Sequence, residues 1–126
     1  MMDLRALAKA RKRASHHVQA AIRRFTGPAQ LPGIAEVEVE ILQSFRGPAQ
    51  IGSLHRIHVP VIDQGQERPT GGWHLDHQRM KSAVYLEFFA NAGESTLELA
   101  YSNILILDSP SDTPSNVWDL PGGARP

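Results

Sequence analysis

The stretch Ile34-Ala-Glu-Val-Glu-Val-Glu-Ile41 decides the fold class, because it alternates apolar and acidic residues without a break. In an extended strand, successive side chains point to opposite faces of a sheet. One face is therefore predicted to be buried, and it consists of Ala35, Val37, Val39 and Ile41. The opposite face carries Glu36, Glu38 and Glu40 and is expected to lie in solvent.

Similar short segments follow along most of the chain. Further strands are predicted over residues 17–25, 54–62, 82–90, 96–101 and 104–107, separated by glycine and proline at short intervals. The near-copies Phe25-Thr-Gly-Pro-Ala-Gln-Leu31 and Phe45-Arg-Gly-Pro-Ala-Gln-Ile51 place Gly-Pro directly after a strand end, where the chain reverses. Pro60 has no N–H group, so its strand is predicted to lie at a sheet edge or to carry a bulge.

These strands predict an all-β fold, a small antiparallel barrel of five or six strands. A short helix is expected near the N-terminus, and residues 63–72, which lack apolar side chains, are expected to form a mobile loop. The last residues hold four prolines and predict an irregular tail. We therefore expect a basic helical arm (1–14), a barrel domain (15–108) and a Pro-rich tail (109–126).

Composition excludes several classes of protein. The 126 residues suffice for one domain, and 41% hydrophobic with 21% charged residues is typical of a soluble globular protein. Without cysteine there can be no disulfide scaffold, thiolate metal site or cysteine nucleophile. No apolar run is long enough to span a membrane. No signal peptide is evident, which predicts a cytoplasmic protein unless an upstream export signal has been removed.

The charges are distributed unevenly although they sum to zero. Residues 1–24 carry seven basic side chains and one acidic side chain, and the rest of the chain carries six basic and twelve acidic ones. Such a basic segment could reach a nucleic acid, an anionic lipid or an acidic protein. It could equally fold back on the acidic body of its own chain.

Four sequence features between residues 34 and 90 together form a recognisable pattern. They are the alternating valines of residues 34–41, the sequence Phe45-Arg-Gly-Pro48, a second alternating strand that ends at Val61, and the strand Ala83-Val-Tyr-Leu-Glu-Phe-Phe-Ala90. This pattern resembles bacterial netrin-like (tissue-inhibitor-like) modules over residues 15–107. The resemblance implies a barrel of the oligonucleotide/oligosaccharide-binding (OB) topology and a binding module that favours protein partners. Animal members use cysteines that this chain lacks, so no functional residue carries over.

The histidines suggest one candidate metal site. His74 and His77 lie three residues apart with Asp76 between them, in an expected turn or single helical turn, where this spacing brings side chains together. Imidazole and carboxylate are the ligands that zinc accepts in a chain without cysteine. His55 and His58 have the same spacing but lie in a predicted strand and point to opposite faces. No cofactor is the main expectation, and zinc is the alternative.

Aromatic residues are the candidate binding residues. Trp73 and Trp118 could anchor a protein interface, although Trp118 could instead dock back on the barrel. Tyr85 and Tyr101 could stack on nucleic-acid bases, as aromatic residues of OB-type barrels do. The glutamates on the predicted second strand would, however, repel phosphate.

The sequence predicts a non-catalytic binding module for a protein partner or for a second copy of itself. No Gly-x-Ser-x-Gly motif, phosphate loop or dinucleotide fingerprint is present, so no enzyme is expected. One alternative is a protein that binds single-stranded nucleic acid through its basic N-terminal segment. Another is a histidine-ligated metal hydrolase.

Overall fold

The computed structural model describes residues 4–66, 73–93 and 96–119. The elements in this part of the chain follow in the order α1 (Leu4–Arg13), β1 (His16–Thr26), β2 (Gly33–Arg46), β3 (Leu54–Ile62), β4 (Leu75–Asp76), α2 (His77–Ser82), β5 (Tyr85–Ala92), β6 (Leu97–Leu107) and a 3-10 turn (Asn116–Asp119). Parts of the predicted loop (63–72) and of the predicted tail (109–126) lie outside the described residues.

The strands form one curled sheet in the order β4-β3-β2-β1-β5-β6. All neighbouring strands are antiparallel except β3 and the two-residue β4, which pair in parallel. Because β3 and β6 approach each other across the open side, the sheet closes to a half-barrel. The prediction of a small all-β, barrel-like fold with a short N-terminal helix is confirmed.

The core lies on the concave side of this sheet, as the alternation along β2 predicts. The four apolar residues of the alternating stretch are fully buried, and apolar residues of the neighbouring strands complete the same cluster, among them Val18, Ala20, Ile57, Val59, Leu86 and Phe88. The glutamates of β2 lie on the opposite face, where they meet basic side chains. Glu40 is 2.8 Å from Arg23, and Glu36 lies 3.8 Å from Arg56.

Three predicted strands differ from the observed ones. The separate strands at 96–101 and 104–107 are one strand, β6, whose pairing with β5 is shifted at a bulge. Tyr101 has φ 56° there, so the backbone bends without ending the strand. The strand predicted from residue 82 begins only at Tyr85, because α2 ends at Ser82 and Ala83 is its C-cap. Asp76 caps the other end of this helix by accepting from the backbone N–H of Arg79.

The N-terminal helix folds back on the barrel, which is one of the alternatives that the sequence leaves open. Leu7 is fully buried, and its carbonyl accepts a hydrogen bond from the side chain of Asn103 on β6 at 3.1 Å. Asn103 in turn accepts from Arg11 at 3.0 Å. The helix is therefore fixed to β6 by an apolar contact and by hydrogen bonds to a neutral side chain.

Gly47, in the turn between β2 and β3, lies too close to the backbone of Ser15 for a side chain to fit. Its φ is +94°, and a Cβ atom added there would overlap the carbonyl oxygen of Ser15. Gly52 has a similar φ of +87° but no atom within 4 Å of its Cβ position. We expect Gly47→Ala to lower the free energy of unfolding by about 2–4 kcal/mol and Gly52→Ala by about 1 kcal/mol. Urea unfolding of both variants measures the difference, and equal losses would contradict the close approach at Gly47.

Candidate functional site

A second apolar cluster lies on the convex side of the sheet. It consists of Ala14, Phe89, Ala100 and Trp118, with Ala10, Leu105 and Val117 packed against it. Phe88 and Phe89 are adjacent on β5 and therefore point to opposite faces, one into each cluster. Helix α1 and residues 111–119, which we call the C-terminal segment, contribute to this outer cluster.

Glu87 fixes the C-terminal segment to the sheet. Its side chain is fully buried on the convex face of β5. Nε2 of His17 donates to the carboxylate at 2.7 Å and Nε2 of Gln19 at 2.9 Å. The backbone N–H of Ser115 and the indole N–H of Trp118 also donate to it. One carboxylate thus joins strand β1 to the last described residues of the chain.

The donors around Glu87 favour its charged form. Burial alone would raise the pKa of this carboxyl group. The hydrogen bonds that it accepts, of which the one from His17 contributes most, together lower the pKa below its ordinary value. Glu87 is therefore a carboxylate at neutral pH, and the segment that it holds is attached to a buried negative charge.

Gln19 adds a second attachment for the C-terminal segment. Its side-chain amide donates to Oγ of Ser111 at 3.1 Å and to the carbonyl of Thr113 at 3.2 Å. Its amide oxygen accepts from the backbone N–H of Ser111 at 2.8 Å. Residues 109–119, the described part of the predicted irregular tail, are thus held by buried polar groups of the sheet, although they contain only a single 3-10 turn.

A cleft of about 450 Å³ opens between α1, the end of β2 and the C-terminal segment. Arg11, Lys12 and Arg46 line it together with the rings of Phe89 and Trp118. The guanidinium carbon of Arg11 lies 5.7 Å from the Trp118 ring centroid, and that of Arg46 lies 5.4 Å from the Phe89 ring centroid. At these distances each cation is attracted to the face of its aromatic ring.

Backbone carbonyls hold the guanidinium of Arg46 in place. Its Nη1 donates to the carbonyl of Arg11 at 2.8 Å and to that of Ala14 at 3.0 Å. These are carbonyls at the C-terminal end of α1, where the helix dipole favours a positive charge. Both guanidinium groups therefore have a fixed place in the lining of one cleft, and each has N–H donors in addition to those used in these bonds.

The cleft is positively charged. The described residues that line it include three cations and no carboxylate. Glu87 lies beneath the lining, and its oxygens are occupied by the donors described above. Burial lowers the pKa of Arg11, but a guanidinium remains protonated at neutral pH. An anionic group would therefore be attracted to this cleft.

The structure separates the four aromatic residues predicted for binding. Trp118 is only 8% exposed and docks in the outer cluster, whereas Trp73 packs against the inner core. Tyr85 is half-buried at the start of β5, and Tyr101 is exposed at the bulge of β6. Of the four, only Trp118 lines the cleft.

The predicted metal ligands do not combine into a metal site. Asp76 caps α2, and within the described part of the chain no three His, Cys, Asp or Glu side chains come together in a way that could hold an ion. His77 instead packs against Phe25, with ring centroids 5.8 Å apart. The zinc alternative at His74, Asp76 and His77 therefore has no support from the arrangement of these side chains.

Sequence reasoning missed Arg46 and Glu87 as site residues, and it considered Phe89 only as a residue that could stack on a base. A single acidic residue in the otherwise apolar run Tyr85-Leu-Glu-Phe-Phe-Ala90 is the pattern that could have revealed Glu87. A charge at such a position is tolerated when hydrogen-bond donors surround it. Arg46 and Phe89 have no comparable local pattern, since only the fold brings them together.

A second pair of side chains, His16 and His55, lines a smaller pocket of about 280 Å³ at one end of the barrel. Burial lowers the pKa of His16, and the charge of His55 lowers it further.

Comparison with known proteins assigns no family to this chain. No family model matches its sequence, and no curated protein is significantly similar to it. The helices α1 and α2, in the part of the chain that the structure describes, are both too short to span a bilayer. What the protein binds has to be inferred from the shape and charge of its surface.

Proposed function

We propose that this protein is a non-catalytic binding module whose cleft binds an acidic segment of a protein partner. The charge of the cleft is the observation that carries this proposal. Arg11, Lys12 and Arg46 line it, and Glu87, which lies beneath the lining, is buried and accepts the hydrogen bonds described above. Carboxylates of a partner would form charge-assisted hydrogen bonds with these cations.

The two arginines are held in position before any ligand arrives. Each guanidinium lies over an aromatic ring, and Arg46 also bonds to two carbonyls of the helix end. Less side-chain entropy is lost when a ligand binds to groups that are already ordered. Such preorganisation supports a binding role, because an unpartnered surface arginine would move freely in solvent.

The surroundings of the cleft favour protein over nucleic acid. Phe89 is 4% exposed and, like Trp118, carries a guanidinium over its ring, so neither offers an open face for stacking on a base. Tyr85 and Tyr101 lie outside the cleft lining. The convex face of β2 also presents glutamates, which repel a phosphate backbone.

A binding role also agrees with the state of the titratable groups. His17 lines the cleft, but it is largely buried and its Nε2 is bonded to the fully buried carboxylate of Glu87. A general base has to reach its substrate. The half-barrel sheet is compatible with a binding module, and the OB topology and the resemblance to netrin-like modules stay predictions.

Removing positive charge from the cleft should weaken binding of an acidic probe. The probe is a short fluorescein-labelled peptide of alternating Glu and Gly, followed by fluorescence polarisation at low and high salt. The double variant Lys12→Gln/Arg46→Gln is expected to bind it about tenfold or more weakly, because charge-assisted hydrogen bonds are lost. Lys12 is exposed, so Lys12→Gln alone should leave the fold intact and weaken binding less. Salt should weaken binding by the unchanged protein.

The controls separate the alternatives. Arg56→Gln removes one positive charge from β3, outside the cleft lining, and should leave the affinity unchanged. A peptide of alternating Gln and Gly should not bind. Tighter binding of a thymidine oligonucleotide than of the acidic peptide would replace the proposal with the nucleic-acid alternative. If the unchanged protein dimerises but does not bind the peptide, and the double variant is monomeric, self-association would replace the proposal.

A further inference from the structure

His16 and His55 meet at one end of the barrel, on the side of the sheet that carries the core. Along β1, His16 has the same parity as the core residues Val18 and Ala20. Along β3, His55 has the same parity as the core residues Ile57 and Val59. Both side chains therefore project from the same face of the sheet, and both line the pocket of about 280 Å³.

A serine determines which ring nitrogen of His55 carries the proton. Oγ of Ser53 donates to the carbonyl of Gln50, so its single hydrogen is already used. The same Oγ lies 2.9 Å from Nε2 of His55 and must accept a hydrogen bond from it. The proton of neutral His55 is thus on Nε2, and Nδ1 keeps its lone pair.

Ser15 engages one ring nitrogen of His16. Oγ of Ser15 lies 2.7 Å from Nδ1 of His16 and 3.4 Å from the carbonyl oxygen of Ala90. Because this contact occupies Nδ1, Nε2 is the ring nitrogen of His16 that remains for another partner. Within the described residues, neither Nε2 of His16 nor Nδ1 of His55 has a hydrogen-bond partner.

We propose that His16 and His55 form a two-histidine binding site for a divalent transition-metal ion, with Zn²⁺ as the representative ion. The ligands would be Nε2 of His16 and Nδ1 of His55, and water would complete the coordination. A histidine that binds a metal usually donates its other ring N–H to a neighbouring oxygen, which fixes the tautomer. Ser53, whose own hydrogen is donated to Gln50, provides that oxygen for His55, and the hydroxyl oxygen of Ser15 lies beside Nδ1 of His16.

This site is independent of the cleft and differs from the one that the sequence suggests. In the sequence, His16 and His55 are far apart and belong to different strands, so no spacing rule connects them. With two protein ligands, the site should bind more weakly than a structural zinc site with four. The structure therefore predicts reversible binding rather than a metal that is required for folding.

The test is a Zn²⁺ titration of the untagged, metal-free protein, followed through the histidine ring signals by NMR and through heat by calorimetry. One equivalent of zinc should shift the rings of His16 and His55 together. His55→Gln should abolish this binding. Ser53→Ala should weaken it by about tenfold, because the tautomer of His55 is no longer fixed.

His58→Gln is the matched control, since His58 lies on the same strand as His55 but on its other face, beside Glu36. This variant should bind zinc as tightly as the unchanged protein. Zinc binding that shifts His74 and His77 instead, or that survives His55→Gln, would overturn the proposal. The same holds if the rings of His16 and His55 do not shift at a large excess of zinc.

Discussion

Replacing Glu87 with alanine is expected to lower the free energy of unfolding by about 3–5 kcal/mol, because several buried hydrogen-bond donors lose their common charged acceptor. The variant leaves the ring N–H of His17 and the indole N–H of Trp118 without their acceptor in a dry environment. It also frees the backbone N–H of Ser115. The C-terminal segment should detach before the barrel unfolds, because these bonds hold it to the sheet.

Urea unfolding measures the total loss in the free energy of unfolding. Tryptophan fluorescence reports whether the C-terminal segment is still attached to the sheet. In a Trp73→Phe background the remaining indole is Trp118, whose emission should move to the red when it leaves the outer cluster. Glu98→Ala is the matched control, since Glu98 is exposed on β6. If Glu87→Ala costs no more than Glu98→Ala, the carboxylate does not hold the segment.

The stability difference between the unchanged protein and Glu87→Ala should depend on pH. The pKa of Glu87 is lowered by folding, so its contribution to stability is complete above the unfolded-state pKa, about 4.3 for a glutamate. As the pH falls through the still lower folded-state pKa, that contribution is lost. The stability difference between the unchanged protein and Glu87→Ala should therefore be largest at neutral pH and shrink in acid.

Phe88→Ala should have an effect of similar size for a different reason. Phe88 is one of the largest fully buried side chains and lies in the middle of the inner core. Removal of a buried phenyl ring typically costs about 3–5 kcal/mol, which includes the energy of the cavity that remains. Denaturant unfolding measures this loss. Binding at the cleft should persist at temperatures where the variant is still folded, because Phe88 and the cleft lie on opposite faces of β5.

Val84→Ala provides the control for this substitution. Val84 precedes β5 and is 55% exposed, so truncating it should change the free energy of unfolding by less than about 0.5 kcal/mol. A comparable loss in both variants would mean that the inner core does not centre on Phe88.

The sequence predicts β2 accurately because the pattern that defines it is local. Alternation with a period of two specifies both the strand and its buried face, and Ala35 to Ile41 are buried as expected. β6 is predicted less well, since Ser102 and Asn103 interrupt its apolar pattern. Those two residues are buried, and the side chain of Asn103 bonds to α1, a contact that no local pattern contains.

The candidate site is only partly accessible from the sequence. The basic N-terminal segment can be selected from the sequence because its charge differs from that of the rest of the chain. Trp118 can be selected because it is a large apolar residue in a turn-like stretch. The ligand class follows only when Arg11 and Arg46 are seen side by side, and this depends on how α1 packs against the sheet. Glu87 likewise looks like one more solvent-facing residue until the C-terminal segment is placed over it.

The cleft can form only late in the synthesis of this protein. Its walls come from residues near position 11, position 46, position 89 and position 118, so a ribosome has to synthesise nearly the whole described chain before the last wall exists. Contacts between such distant residues form slowly. A nascent or truncated chain that stops before Trp118 should therefore show no affinity for an acidic partner. Partner binding would then select fully synthesised, folded molecules and stabilise only those.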